Sequence, residues 1–324
     1  MAHQINVAAS DISFQCNDGE TVLDAAERAG FALPYSCRKG VCAECVGEVV
    51  NVEGTEKALF CRTRPTTDLT IVPRKIEKRG HITRKKVDAS VFRIMQPTPD
   101  VTVLQLRLPI GVRAKFRAGQ YLQVHLDENT VRNYSMANPP HQNDSVHLHV
   151  RHVPGGRFSD GVLKELGVGS KVRIELPYGE FFFRDESTKP VILVATGTGF
   201  APVKSIIEDA LKRKLARPLK LYWGARSERD LYFLDLARKW QDEGHVKFVP
   251  VLSNPGATWA GRTGFVHRAV VADHSSLATY QVYACGNPAM TRAAREEFMR
   301  AGLPEEEFFC DAFVQTDMLE TEAS

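Results

Sequence analysis

The chain opens with alternating apolar and polar positions. Gln4 to Ala8 and Ile12 to Cys16 predict a strand hairpin. Thr21-Val-Leu-Asp-Ala-Ala-Glu-Arg-Ala-Gly30 sets Val22, Leu23 and Ala26 on one helical face and ends on a glycine stop, which predicts a helix. With two strand-like pieces at 46–50 and 68–72, residues 1–73 read as a small α+β unit. From 87 to 183 alternation dominates, in Val101-Thr-Val-Leu-Gln-Leu-Arg-Leu108, Gln120 to Leu126 and Val146 to Val150, with Gly and Pro clusters between. Many short strands without helices predict a closed or nearly closed antiparallel barrel. From Pro190 the period changes. Val191-Ile-Leu-Val-Ala195 is wholly apolar, as expected of a parallel strand buried on both faces. Predicted helices at 203–214 and 228–242 alternate with strands at 219–223, 246–252 and 281–284, the pattern of an α/β domain on an open parallel sheet. The tail after Thr316 carries no apolar pattern and is expected to be disordered.

These changes of pattern divide the chain into 1–73, a connection at 74–86, 87–186 and 187–324. A length of 324 residues, 43% hydrophobic and 25% charged, allows each part its own core. The sequence contains no apolar run of bilayer-spanning length, and Met1 to Ser10 lack the features of a secretory signal. The expectation is a cytoplasmic enzyme without a membrane partner. A net charge of +3 is too small to suggest nucleic acid. Its distribution is uneven. Residues 1–73 carry 6 Lys/Arg against 10 Asp/Glu, whereas 74–86 carry 7 against 1. The basic run reads as a solvated linker, or alternatively as a hinge attracting an acidic face.

Seven cysteines without a secretion signal argue against a disulfide framework. Cys37-Arg-Lys-Gly-Val-Cys42-Ala-Glu-Cys45, with Cys61 as a fourth thiol, has the C-x4-C-x2-C spacing of a plant-type [2Fe–2S] site. Four thiolates can wrap two irons, and Gly40 lets the main chain pass close to the inorganic sulfide. A structural zinc site would favour two paired C-x2-C knuckles. Only 15 residues separate Cys45 from Cys61, fewer than in comparable ferredoxins, and this reads as a trimmed surface loop that keeps the cluster. Cys16 stands outside the pattern and reads as a core residue.

Arg132-Asn-Tyr134-Ser135 follows a predicted strand and a Gly119-Gln-Tyr-Leu turn. A guanidinium can pair with a phosphate, a tyrosine ring can stack on an isoalloxazine, and a serine hydroxyl can hydrogen-bond the reactive edge of that ring. This R-x-Y-S segment resembles the ferredoxin–NADP reductase superfamily, and the resemblance implies flavin contacts for Arg132, Tyr134 and Ser135. His149-Val150-Arg151 and Gly156-Arg-Phe-Ser159 resemble that family's second flavin segment, and amides after the glycine pair suit the pyrophosphate of FAD.

Ala195-Thr-Gly197-Thr198-Gly199-Phe-Ala-Pro202 follows the first apolar strand and precedes a helix. Its glycines permit close backbone approach to an anion at the helix N-terminus, and Pro202 fits a first turn where no N–H is required. This resembles the superfamily's dinucleotide-pyrophosphate turn. Tyr283-Ala-Cys285-Gly286-Asn-Pro288 resembles its C-G-x-P turn near the nicotinamide, where Cys285 would position the ring; a buried core thiol is the alternative. Phe313 could cover the flavin face, or serve packing alone. NADP-preferring relatives tend to place Ser-Arg after the strand found here at 246–252. Ser253-Asn-Pro-Gly stands there instead and favours NADH, while Arg226 at the end of another strand leaves NADPH possible.

Over nearly the whole chain the order of parts is similar to the reductase components of ring-hydroxylating dioxygenases, notably the terephthalate type, and to CDP-6-deoxy-glucoseen reductases. The resemblance implies a β-grasp plant-type ferredoxin domain, a flavin barrel and a nicotinamide domain. It also implies hydride transfer from NADH to FAD, with Tyr134, Ser135 and Cys285 at the reacting groups. Single electrons would then leave through the [2Fe–2S] cluster to a terminal oxygenase component. A reductase for radical deoxysugar chemistry and a ferredoxin-like binding module without redox activity stand as alternatives.

Overall fold

The computed structural model describes residues 2–52, 54–79 and 83–314, so the tail after Thr316 lies outside the described residues. The chain divides into two compact units between Thr83 and Arg84.

In the first unit β1 (His3–Val7) and β2 (Ser13–Cys16) form the expected hairpin. Helix α1 (Val22–Arg28) begins at Thr21, whose hydroxyl accepts the Asp24 amide, and Gly30 beyond its end has φ +83°. Val22, Leu23 and Ala26 are wholly buried. A short β3 (Phe31–Ala32) leads into the cysteine loop. Then come β4 (Val46–Asn51), β5 (Gly54–Leu59), β6 (Leu69–Pro73) and β7 (Glu77–Lys78). The main sheet runs β2-β1-β6-β4-β5, with β1 and β6 as its one parallel pair. β5 escaped the sequence pattern because Gly-Thr-Glu-Lys is exposed on both faces and alternates in nothing. It supplies the return path from Cys45 to Cys61, so the shortened interval is a hairpin.

The basic run is structured at both ends. Glu77 and Lys78 pair with Ala32 and Phe31, and Lys85 already belongs to the second unit's first strand. Charge alone suggested solvation there, but strand pairing uses the main chain and leaves charged side chains free to face water.

The second unit begins with a six-stranded antiparallel sheet. Its strands are β8 (Lys85–Thr98), β9 (Val101–Arg107), β10 (Tyr121–His125), β11 (Val131–Ser135), β12 (Ser145–Arg151) and β13 (Lys171–Tyr178), in the order β11-β10-β13-β8-β9-β12. A bridge from Met136 to Leu148 brings the two edges together and closes the barrel. The segment is not helix-free: a π-helical turn at Arg157–Val162 runs into a short α2 (Leu163–Glu165), whose Leu163 plugs the barrel core.

A six-stranded, all-parallel sheet follows in the order β17-β16-β15-β14-β18-β19. Along the chain its elements are β14 (Val191–Thr196), α3 (Phe200–Lys212), β15 (Leu219–Ala225), α4 (Leu234–Asp242), β16 (Lys247–Leu252), β17 (Arg262–Thr263), α5 (Val266–Asp273), β18 (Gln281–Gly286), α6 (Pro288–Arg300) and β19 (Phe308–Ala312). Val191 to Ala195 are essentially inaccessible, as their unbroken apolar run requires.

Barrel and parallel sheet share one core. Ala118, Phe181 and Phe183 from the barrel side pack in the same cluster as Leu193, Phe200 and Tyr283. The Phe183 and Tyr283 rings stack at 5.8 Å, and the Arg184 amide donates to the Tyr283 hydroxyl at 2.9 Å. Apolar surface removed from water at this seam stabilises both halves together. Leu193→Ala, a fully buried truncation in the central strand, is expected to cost about 2–5 kcal/mol. Denaturant unfolding followed by the fluorescence of Trp223, Trp240 and Trp259, all in the second unit, should show that loss.

Candidate functional site

The cysteine loop turns sharply. Arg38, Gly40 and Ala43 have φ of +56°, +80° and +57°. Only glycine takes such a value freely; Arg38 is held in it by ion pairs to Asp24 and Glu27 on α1 and by the Tyr35 ring 4.3 Å from its guanidinium. All four cysteines of the pattern are buried. They stand in two pairs, with Cys42 donating to Cys37 and Cys61 to Cys45. These bonds, joined by nearby amides, draw Cys37 and Cys45 down, while the two donor thiols are pushed up. The Lys39 amide reaches Cys37 Sγ at 3.3 Å, and amides of Val41, Glu44 and Gly40 serve Cys37, Cys42 and Cys61 respectively. Among the described residues no three His, Cys, Asp or Glu side chains gather as ligands of a single ion would. Two thiol pairs ringed by amide donors suit a two-iron, two-sulfide unit.

In the second unit, β11 carries Arg132, Tyr134 and Ser135. Arg132 is half-buried and, among the described residues, donates only to its neighbour's carbonyl, Val131 O, at 3.1 Å, so its fork retains capacity for a phosphate. The Tyr134 ring packs at 5.2 Å from Phe158. Ser135, on the opposite face of the strand, is buried and donates to Asp311 Oδ2 at 3.1 Å. That bond crosses from the barrel to the sheet edge strand β19, where Asp311 is the register partner of Cys285. Sequence reading passed over Asp311, although it stands two residues before Phe313; nothing in the local pattern distinguishes it from a surface acid.

The glycine turns meet directly. A Cβ on Gly199 would overlap the Cys285 carbonyl, and one on Gly286 would overlap Thr196 Oγ1. Thr196 Oγ1 is itself buried and finds no hydrogen-bond partner among the described residues. Thr198 lies buried in the turn, and Pro202 sits in the first turn of α3. Burial holds the Cys285 thiol well above its ordinary pKa, so it is no thiolate nucleophile. The Phe313 amide donates to Gly286 O at 2.8 Å, which fixes the chain entering that aromatic beside the turn. The two glycine turns thus pack main chain against main chain, with the Thr196 hydroxyl buried between them.

Other candidate side chains lie elsewhere. Val150 faces the barrel core, leaving only its main chain for a ligand. His149 is buried and shares a 2.9 Å hydrogen bond with the Tyr232 hydroxyl, a second residue the sequence did not single out. Arg151 pairs with Asp100 at 3.0 Å, and its Nη1 lies 3.2 Å from where a Gly197 Cβ would stand, so it covers the sheet-side glycine turn. Ser159 closes its own turn, accepting the Val153 amide at 3.1 Å, and a Cβ on Gly156 would press against its Oγ at 2.7 Å. Arg226 is exposed after the end of β15.

Three domain families match this chain: the 2Fe-2S iron-sulfur cluster binding domain over residues 5–66, the oxidoreductase FAD-binding domain over 89–183 and the oxidoreductase NAD-binding domain over 193–296. Terephthalate 1,2-dioxygenase, reductase component 1, of Comamonas sp is 40% identical across 97% of this chain and 98% of its own length. The CDP-6-deoxy-L-threo-D-glycero-4-hexulose-3-dehydrase reductase of Yersinia pseudotuberculosis is 36% identical across 97% and 99%. The crystal structure of Amycolatopsis cytochrome P450 reductase GcoB superposes with a TM-score of 0.78 at 29% identity, covering 97% of this chain and 99% of that one.

Two outcomes follow from this geometry. Gly199→Ala should retain FAD and iron but slow flavin reduction by NADH on the order of 100-fold in stopped flow, because the new methyl group displaces the turn. Burial, reinforced by Lys204, holds His147 down at about 4, and burial holds His149 well below its usual value. Unfolded histidines titrate near 6.5, so the stability these residues confer is fully present above that pH. It is lost as pH falls toward the folded values, by up to about 1.4 kcal/mol per pH unit for each. Denaturation midpoints between pH 7 and pH 5 should therefore fall less steeply in a His147→Gln, His149→Gln variant.

Proposed function

The chain belongs to the oxidoreductase family that joins a 2Fe-2S domain to FAD- and NAD-binding domains, and from that premise we propose that it is the NADH-consuming reductase component of a Rieske-type, aromatic-ring-hydroxylating oxygenase, working in the cytoplasm. The observation that carries the reading is the seam at which Ser135 of the barrel bonds Asp311 of the parallel sheet beside Cys285 and Gly199. One seam thereby receives groups from both cofactor domains. When bound, FAD would supply hydride acceptance from NADH, and the [2Fe–2S] cluster would supply single-electron transfer.

The residues supply placement. Arg132 would hold the flavin phosphate, and Tyr134 and Ser135 the flavin ring, with the Ser135 proton committed to Asp311. Gly197 and Gly199 would admit the dinucleotide phosphates beside Arg151, and Phe313 and Cys285 would pack at the reacting rings and exclude water. No helix among the described residues is long and apolar enough to cross a membrane. The choice of NADH rests on Ser253-Asn-Pro-Gly after β16, although Arg226 and Arg229 stand exposed near the end of the adjacent strand. Full-length identity of 40% to a dioxygenase reductase component supports an oxygenase as acceptor. The 36% identity to the hexulose dehydrase reductase supports deoxysugar synthesis as the second reading. The paired thiols and their amide donors weigh against a module without redox activity.

Anaerobic titration with NADH, then NADPH, followed by visible absorption and EPR, is expected to bleach one flavin and about two irons per chain, with NADH effective at lower concentration. Arg132→Ala should lose most flavin and keep its iron. Electron delivery to a Rieske oxygenase but not to a hexulose dehydrase separates the two acceptors. A protein that holds no iron after anaerobic reconstitution, or that NADH leaves unbleached, would sink the reading.

A further inference from the structure

Arg74 heads the basic run and reads in the sequence as one more solvated charge. In the structure its guanidinium closes on the back of the cysteine loop. Nη2 donates to the carbonyls of Ala43 at 2.6 Å and Glu44 at 2.8 Å, and Nε donates to that of Val46 at 3.2 Å. One cation thus holds three acceptors on both sides of Cys45. The intervening Cys45 carbonyl is taken by the Phe60 amide at 3.0 Å, so every carbonyl from Ala43 to Val46 is bound by a donor.

A trans peptide sends its C=O and N–H in opposite directions. The peptide bearing the Ala43 carbonyl also bears the Glu44 amide, which donates to the Cys42 sulfur. The next one, bearing the Glu44 carbonyl, leads directly into Cys45. Arg74 therefore grips the peptide whose amide meets the Cys42 sulfur and the main chain on both sides of Cys45. Hydrogen bonds to sulfur and local charge both set the potential of such a centre, and a nearby cation favours the reduced form, which carries one more negative charge.

We propose that Arg74 is a positioning residue for the iron–sulfur centre: it fixes the Glu44 amide toward the Cys42 sulfur and the main chain on both sides of Cys45, holds a positive charge behind them, and so raises the reduction potential of the cluster. The inference rests on the [2Fe–2S] assignment of Cys37, Cys42, Cys45 and Cys61, which the iron content of the unaltered chain tests separately.

The full chain and its Arg74→Ala, Arg74→Lys and Arg74→Gln variants are purified anaerobically and taken through a redox titration that records cluster EPR and flavin absorbance together. Arg74→Ala is expected to shift the cluster midpoint to lower potential and to hasten iron loss to a chelator, with the flavin midpoint unmoved. Arg74→Lys, which keeps the charge but not the fork, should fall between. Equal cluster midpoints in iron-loaded unaltered and Ala proteins overturn the inference and leave the iron assignment standing; an unaltered chain without iron overturns both. Should the Ala variant hold no cluster, the other two decide. A Gln midpoint below that of Lys supports the role, and equal midpoints overturn it. Loss of the cluster from all three variants, with FAD still bound, also overturns it, since Arg74 would then serve assembly alone.

Discussion

The carboxyl ends of β14 and β18 approach until the turn that follows the first lies on the main chain of the second, and the rest of the site inherits its position from that approach. Gly199 rests against the Cys285 carbonyl and Gly286 against Thr196. A methyl group at either place would push the strands' ends apart. Because Cys285 and Asp311 are register partners, the same contact sets the distance of β19 from the barrel, and with it the hydrogen bond to Ser135. A turn can lie this closely on the main chain of a neighbouring strand only where the side chain is missing.

A shared core keeps that geometry rigid. Phe181 and Phe183 leave the barrel to pack among strands of the parallel sheet, and the His149–Tyr232 and Ser205–Asn138 hydrogen bonds, at 2.9 Å and 2.8 Å, tie the two halves at further points. Positioning of reacting groups within a fraction of an ångström demands such support, since the barrier is sensitive to small misplacements. The iron–sulfur loop obtains its rigidity otherwise. It has little apolar surface of its own, and polar contacts fasten it: Arg38 to α1, and Arg74 to its carbonyls. A loop whose amides must face sulfur has its carbonyls left over, and a multivalent donor satisfies several of them at once.

Much of this was legible along the chain because the relevant signals are local. Strand alternation, the cysteine spacing, the R-x-Y-S segment and the paired glycines each occupy a short window, and they marked the three folds and most candidate residues. Strand β5 and helix α6 were missed for opposite reasons: the first is polar on both faces, and the second follows an Asn-Pro start that was read only as part of a turn.

The sequence by itself determined which chemistry the chain can host, since a thiol quartet, a glycine turn or an R-x-Y-S segment is defined by residue type and spacing. Only the tertiary structure decided which groups meet. Asp311 reaches Ser135 across 176 positions, Tyr232 reaches His149 across 83, and Arg74 leaves a charged run to grip peptides some 30 positions earlier. Such contacts depend on sheet order and register, which arise from burial summed over the whole chain and leave no mark in any one stretch of it.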